Sequence, residues 1–125
     1  MTPSEHPDIV VTDRPLERAE LARLLQRFFY DMVKYVVDVR TGRVAVGGEL
    51  HADAEGLLLE TGSAQQDLWG ANYYPGRGPE GCIEYTALIN IRPAQENPGM
   101  EVEDRAIRDR LREVTFVVLG RGDPL

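Results

Sequence analysis

The residues best suited to chemistry lie in residues 47–55, where one histidine is followed and preceded by acids: Glu49, His51, Asp53 and Glu55. In a strand, these four side chains would share one face, whereas in a helix His51 and Glu55 would still meet four positions apart. Both geometries remain open at this stage. Because a neighbouring carboxylate raises the pKa of an imidazole, the pattern predicts that His51 works as a general acid or base near neutral pH.

The same residues are the candidates for a metal site. Several carboxylate oxygens with one imidazole suit Mg²⁺, Mn²⁺ or Fe²⁺ better than a closed zinc site, and His51 and Asp53 are the first choice of ligands. The competing interpretation is a solvated acidic face, which is the commoner role of such charge. A divalent metal is therefore a candidate cofactor.

The net charge of the chain is concentrated around these residues. The chain has 14 basic and 21 acidic side chains and a formal net charge of −7. Residues 49–72 contain no lysine or arginine and carry five of the acids: Glu49, Asp53, Glu55, Glu60 and Asp67. A negative chain has little attraction for nucleic acids or anionic lipids, so neither is expected as a partner.

Five further residues could line a ligand site: Trp69, Asn72, Glu84, Asn90 and Arg92. The Trp69 ring could form the floor of a pocket for a cationic group, although a core position is the commoner one for tryptophan. Arg92 could clamp a carboxylate or phosphate, or could instead pair with Glu84 or with an acid of residues 49–72.

Two helices are predicted from apolar spacing. Residues 12–15 offer caps and a proline for the first helix, whose apolar side chains recur three and four positions apart up to Met32. Asp104 can cap the last helix, in which apolar residues from Ile107 to Val118 share one face, although its run of β-branched residues weakens that prediction.

The segments between the helices alternate with a period of two, which predicts strands at residues 33–39, 44–46, 68–74 and 83–91. A short edge strand is also suggested at residues 9–11, and Gly47 with Gly48 suggests a bulge or a close approach of two backbones. The fold class is therefore α+β: an N-terminal helix, an antiparallel β-meander of about four strands and a C-terminal helix.

The length of 125 residues suits a single domain over residues 1–125, with tails expected at residues 1–7 and 120–125. Cys82 is the single cysteine, so an intrachain disulfide cannot form. The sequence has neither an apolar run of membrane-spanning length nor a secretory signal, so no membrane is expected and the cytoplasm is the expected compartment.

Four motifs occur in order along the chain: YDMVK at residues 30–34, GGELHADAE at 47–55, QDLWG at 66–70 and INIRP at 89–93. Together, over about residues 28–115, they resemble a family of small bacterial proteins classed as a domain of unknown function. The resemblance implies one domain and brings no activity, cofactor or substrate with it.

Two functions are consistent with the sequence. The first is a ligand- or partner-binding homo-oligomer with an acidic, histidine-containing site, in which dimerisation covers an apolar sheet face or edge. The alternative is a small hydrolase- or isomerase-like enzyme that uses His51 with Glu49, Asp53 and Glu55, with or without a divalent metal. The direction in which the His51 side chain points should discriminate between them.

Overall fold

A computed structural model describes residues 6–125, so most of the predicted N-terminal tail, residues 1–5, lies outside the described residues. Within the described part, the elements in chain order are β1 (Ile9–Thr12), α1 (Arg18–Arg27), β2 (Val33–Asp38), β3 (Val44–Gly47), α2 (His51–Glu60), β4 (Leu68–Tyr73), α3 (Gly78–Gly81), β5 (Ile83–Glu84) and α4 (Arg105–Val118). Short 3-10 turns occupy Gln65–Asp67, Leu88–Asn90 and Pro93–Gln95.

The five strands form one antiparallel sheet in the order β1-β3-β2-β4-β5. The α+β class and the antiparallel pairing are thus confirmed, while the strand count of about four is too low because the short β1 joins the sheet beside β3. The register aligns Lys34 of β2 with Asn72 of β4, and Asn72 with Glu84 of β5. These three side chains therefore form a row across neighbouring strands.

Helices cover both faces of the sheet. Helices α1 and α4 pack on one face, where Leu24 and Leu111 join Tyr35 and other apolar side chains in the larger core cluster. Helix α2 packs on the opposite face, where Leu58 lies with Val36 in a smaller cluster. Helices thus pack on both faces of the sheet, and the expectation that dimerisation covers an apolar sheet face or edge stays a prediction.

Helix α1 is shorter than the apolar spacing predicts. Leu21, Leu24 and Leu25 are buried as expected, but the helix ends at Arg27. The Tyr30 N–H donates to the carbonyl of Leu25 (2.7 Å), and Tyr30 has a left-handed φ of 69°, so the chain turns away before β2 begins. The apolar residues after Arg27 thus belong to this turn and to the start of β2.

Helix α4 confirms the prediction at the C-terminal end. The Ile107 N–H donates to Oδ1 of Asp104 (3.0 Å), which is the expected N-terminal cap. The β-branched run does not end the helix: Val114, Thr115 and Val118 are buried, and the Thr115 hydroxyl donates to the carbonyl of Leu111 (2.6 Å). Thr115 Oγ1 and Tyr35 Oη also share a buried hydrogen bond of 2.6 Å.

The predicted strand at residues 83–91 is wrong beyond Glu84. Only Ile83–Glu84 pairs with β4, and Leu88–Asn90 forms a 3-10 turn. The Asn90 side chain instead pairs with β4: the Gly70 N–H donates to Oδ1 (2.9 Å) and Nδ2 donates to the Gly70 carbonyl (3.0 Å). A side-chain amide thus occupies the edge of β4 where the alternation predicted a backbone strand.

The residues after α4 make specific contacts with the sheet edge. The Gly122 N–H donates to Tyr73 Oη (2.9 Å), and the Gly122 carbonyl accepts from the N–H groups of Gly76 and Gly78. Arg18 donates to the carbonyl of Pro124 (2.6 Å). The segment expected as a C-terminal tail therefore hydrogen-bonds to β4, to the loop before α3 and to α1.

Candidate functional site

The predicted acid and histidine residues fold as the turn after β3 and the first part of α2. Gly47 and Gly48 both have left-handed φ angles (112° and 85°), and a Cβ at Gly47 would collide with the Asp8 carbonyl oxygen. The expected close backbone approach is therefore confirmed. Because successive helical residues point about 100° apart, α2 directs His51 into the protein and Asp53 to solvent. The strand alternative, with four side chains on one face, does not occur.

The His51 imidazole is buried against β4. Its side chain is 8% exposed, and Nε2 lies 2.9 Å from the Ala71 carbonyl oxygen. Since a carbonyl only accepts, Nε2 carries the hydrogen, and the lone pair of the neutral ring is on Nδ1. A Cβ at Gly70 would approach the His51 ring to 3.1 Å and would clash with Ala87 at 2.7 Å. Glycine at position 70 therefore lets the histidine and the following loop approach the strand.

Burial lowers the pKa of His51 below its ordinary value. The hydrogen bond to the Ala71 carbonyl and the nearby polar side chain of Asn72 act in the opposite direction, and the positive charge of Lys34 lowers the pKa further. The direction is opposite to the sequence prediction because the ring packs against the sheet rather than beside the acids of its own segment. The imidazole is consequently neutral at neutral pH.

Asn72 and Glu84 extend the surroundings of His51 across the sheet. Asn72 is 7% exposed, and its Nδ2 donates to Oε1 of Glu84 (2.7 Å), which also accepts from the Tyr74 hydroxyl (3.3 Å). Among the described residues, Oδ1 of Asn72 is buried and has no hydrogen-bond partner. An unpaired buried acceptor costs about 1–3 kcal/mol, which sets this atom apart from the other buried polar groups.

Arg92, Glu55 and Trp69 meet at a second place. Nη2 of Arg92 lies 3.3 Å from Oε2 of Glu55, the two side chains are 10% and 12% exposed, and the guanidinium carbon lies 4.7 Å from the Trp69 ring centroid. Arg92 also donates to the carbonyls of Ile89 and Gln65. Burial lowers the pKa of Arg92, and the Glu55 charge opposes that change. Arg92 thus pairs with an acid of residues 49–72, one of the two roles considered for it.

Asn90 also binds within the chain. Besides its two hydrogen bonds to Gly70, its Nδ2 donates to the carbonyl of Met100 (3.0 Å). Nδ2 of Asn97 in turn donates to the Asn90 carbonyl (2.8 Å). Together with Arg92, these amides hold residues 86–101 against β4 and α2. These hydrogen bonds give Asn90 a structural role rather than a role in ligand binding.

Glu49 and Asp53 lie apart from the His51 contact. Both are exposed and line a cavity of about 160 Å³ together with Asp8 and Arg27. Oδ1 of Asp8 is 3.4 Å from Nε of Arg27, so a basic group is already present there. Within residues 6–125, no group of three or more His, Cys, Asp or Glu side chains is placed to hold a metal ion. The described residues therefore supply no ligand set for the divalent metal.

One buried acid was missed from the sequence. Asp38 is fully buried and accepts from the Ser63 hydroxyl (2.6 Å) and from the N–H groups of Arg40 and Thr41. Burial alone would raise the pKa of Asp38, but these hydrogen bonds outweigh it and hold the pKa below its ordinary value. An aspartate before a Thr-Gly turn was the available signal, since such aspartates cap turns.

The chain matches the model of one protein family. A family model described as "Protein of unknown function (DUF5674)" matches residues 9–118, and the chain belongs to this family. The match runs from β1 to the end of α4, so it includes β1 and α1, which lie before the resemblance seen over residues 28–115. No curated protein matches the chain, and no solved structure does. No helix of the described residues is long and apolar enough to cross a membrane.

Proposed function

We propose that the chain is a ligand-binding domain whose ligand is a small polar molecule with a hydrogen-bond donor. The observation that carries the proposal is Oδ1 of Asn72, which is buried and has no hydrogen-bond partner among the described residues. The opposite end of the same amide is fixed by Glu84, so Oδ1 cannot be satisfied by rotation of the side chain without loss of that bond. A ligand N–H or O–H would satisfy it.

The surroundings of Asn72 favour a donor as the ligand group. Among the described residues, Glu84 has no ion-pair partner, and its contacts with Asn72 and Tyr74 both use Oε1. A carboxylate can accept about four hydrogen bonds, so it retains the capacity to bind a ligand donor. His51 is neutral and is fixed by the Ala71 carbonyl, so it forms a rigid wall that adds no positive charge of its own.

The enzymatic alternative has less support from the arrangement. A hydrolase- or isomerase-like mechanism would require His51 to act with Glu49, Asp53 and Glu55. Glu55 is paired with Arg92, and Glu49 with Asp53 lines a different cavity. Acid–base catalysis by His51 therefore stays a prediction, which an activity assay would have to test.

The homo-oligomer also stays a prediction. Helices pack on both faces of the sheet, so a second copy could extend the sheet at an edge such as β1. Light scattering at high protein concentration measures the mass, and we expect at least a dimer. A monomeric mass over the whole concentration range would reject it.

The binding proposal is tested by NMR titration of the full chain with ethylammonium, a probe that carries only donors and one positive charge. We expect saturable shifts of the Asn72 side-chain amide and of the His51 backbone amide in the millimolar range. Asn72→Leu removes the acceptor at nearly constant volume and should abolish the shift of the His51 backbone amide, which this variant retains. Gln66→Leu also replaces an amide by an apolar side chain, but at the surface, and should leave the shifts of Asn72 and His51 intact. If the shifts do not saturate, or if the His51 shift persists in Asn72→Leu, the proposal is wrong.

A further inference from the structure

Two opposite charges lie on either side of Asn72. The sheet register places Lys34 beside Asn72 on one strand and Glu84 beside it on the other. Because neighbouring strands are about 4.8 Å apart, the Cα atoms of the two charged residues are separated by about 10 Å. His51 lies above the same part of the sheet, with its ring against Gly70 and Ala71. We call Lys34, Asn72 and Glu84 the polar row.

Both charges of the polar row are unpaired within the described part of the chain. No carboxylate among residues 6–125 lies within ion-pair distance of the Lys34 ammonium. Lys34 Nζ lies over the Phe29 ring, 5.1 Å from its centroid. Glu84 likewise has no basic partner there, and it is exposed. Eight ion pairs form elsewhere among the described residues, and Lys34 and Glu84 do not pair with each other across the row.

The three groups offer complementary contacts for two ends of one small molecule. Glu84 and Oδ1 of Asn72 are acceptors and suit an ammonium group. Lys34 is a donor with a positive charge and suits a carboxylate.

We infer that the ligand of the polar row is a small zwitterion of the amino acid type, with its ammonium group on Asn72 and Glu84 and its carboxylate on Lys34. This inference rests on the proposed function, because it assigns the ligand class of the same site. A ligand with only one charge would leave one end of the row unpaired. The spacing of the row favours a molecule whose two charges are several bonds apart over one whose charges are adjacent.

The test compares four probes by NMR titration of the full chain: 4-aminobutyrate, glycine, ethylammonium and acetate. We expect 4-aminobutyrate to bind about tenfold more tightly than ethylammonium or acetate, since it gains one further charge-assisted contact. Glycine, with its shorter separation of charges, should fall between them.

Two variants separate the ends of the ligand. Lys34→Met should reduce the affinity for 4-aminobutyrate to that for ethylammonium and leave ethylammonium binding unchanged. Glu84→Gln should weaken both. The matched controls are Arg14→Gln and Glu60→Gln, which remove one charge of each sign at exposed positions outside the row. They should leave all affinities within about twofold, because exposed remote charges are largely screened.

The outcomes separate the inference from the proposed function. If ethylammonium binds at Asn72 and 4-aminobutyrate binds no more tightly, the zwitterion is wrong and the binding site stands. If acetate binds as well as 4-aminobutyrate, the ammonium end is wrong and the inference is overturned. If none of the four probes gives saturable shifts at Asn72, both the inference and the proposed function are overturned.

Discussion

The two faces of the sheet bury different kinds of side chain. On the face of α1 and α4, the core is apolar, and Thr115 is the buried polar residue that α4 contributes. On the face of α2 and in the adjoining loop, the described residues include six buried polar or charged side chains: Asp38, His51, Ser63, Asn72, Asn90 and Asn97. The first face buries mainly apolar side chains, which stabilises the fold. The second face also buries polar groups, and each of these needs hydrogen-bond partners.

We call the face of α2, with the adjoining loop, the polar face. It is informative because nearly all of its buried polar groups have hydrogen-bond partners. Asp38 is bound by Ser63 and two backbone N–H groups, and Asn90 and Asn97 use their amides to fix the loop. Asn72 differs, since its Oδ1 is buried without a partner among the described residues. A face that satisfies its other buried amides and leaves one acceptor free points to that acceptor as the place for a ligand.

The largest effect should come from the apolar face. Leu111 is fully buried between α4 and the sheet, so Leu111→Ala removes three side-chain carbon atoms and leaves a cavity. We expect a loss of about 2–5 kcal/mol in the free energy of unfolding, measured by denaturant titration. Val117→Ala on the exposed side of the same helix is the control and should change it by less than about 0.5 kcal/mol. Equal losses in both variants would contradict the assignment of the core.

On the polar face, removal of one side-chain amide should lower the free energy of unfolding. Asn90→Ala leaves the Gly70 N–H, the Gly70 carbonyl and the Met100 carbonyl without their partner. We expect a loss of about 3 kcal/mol, because buried backbone groups without partners each carry a desolvation cost. Gln95→Ala, in which an exposed amide loses one hydrogen bond to Gln66, should change the free energy of unfolding by less than about 0.5 kcal/mol.

Elements with local signals could be predicted from the sequence. The cap of Asp104 and the apolar face of α4 follow from residues within one helix. The β2–β3 hairpin follows from alternation on either side of Gly42, whose φ of 83° needs glycine. Each of these depends on neighbours a few positions apart, so the sequence pattern contains the information.

The candidate site could be predicted only in part, since it depends on distant residues. Residues 83–91 alternate as a strand would, yet the Asn90 amide replaces the backbone partner of Gly70, which is 20 positions away. The acidic window of residues 49–72 lacks its own bases, but Arg92 and Arg40 reach it from outside and pair with Glu55 and Asp67. The sheet order that aligns Asn72 with Glu84 decided which predicted residues meet.

A smaller effect is expected at the buried acid of the polar face. Ser63→Ala removes the hydroxyl that donates to Asp38, and we expect a loss of about 2 kcal/mol near neutral pH, typical of a hydrogen bond to a charged group. The folded protein holds the pKa of Asp38 below its ordinary value, so this stabilisation is present above the ordinary aspartate range and is lost as the pH falls through the lower folded value. The difference between the wild type and Ser63→Ala should therefore shrink in acid. A difference that stays constant with pH would show that Asp38 is not ionised in the fold.

The smallest effect we expect is the pH dependence that His51 adds to this face. Burial holds the pKa of His51 in the folded chain below the ordinary value of 6.5, so the unfolded chain binds more protons between the two values. The contribution of His51 to stability is then greatest above pH 6.5 and falls as the pH decreases toward the pKa of His51 in the folded chain. Asp38 acts in the same direction, but at lower pH. His51→Gln should remove the slope in this window, while Ser63→Ala should keep it. Because the loss of stability begins near 6.5 for His51 and only near 3.8 for Asp38, denaturant titrations at a series of pH values distinguish the two groups. A slope of opposite sign near pH 6 would mean that the acids of residues 49–55, and not the sheet, control the histidine.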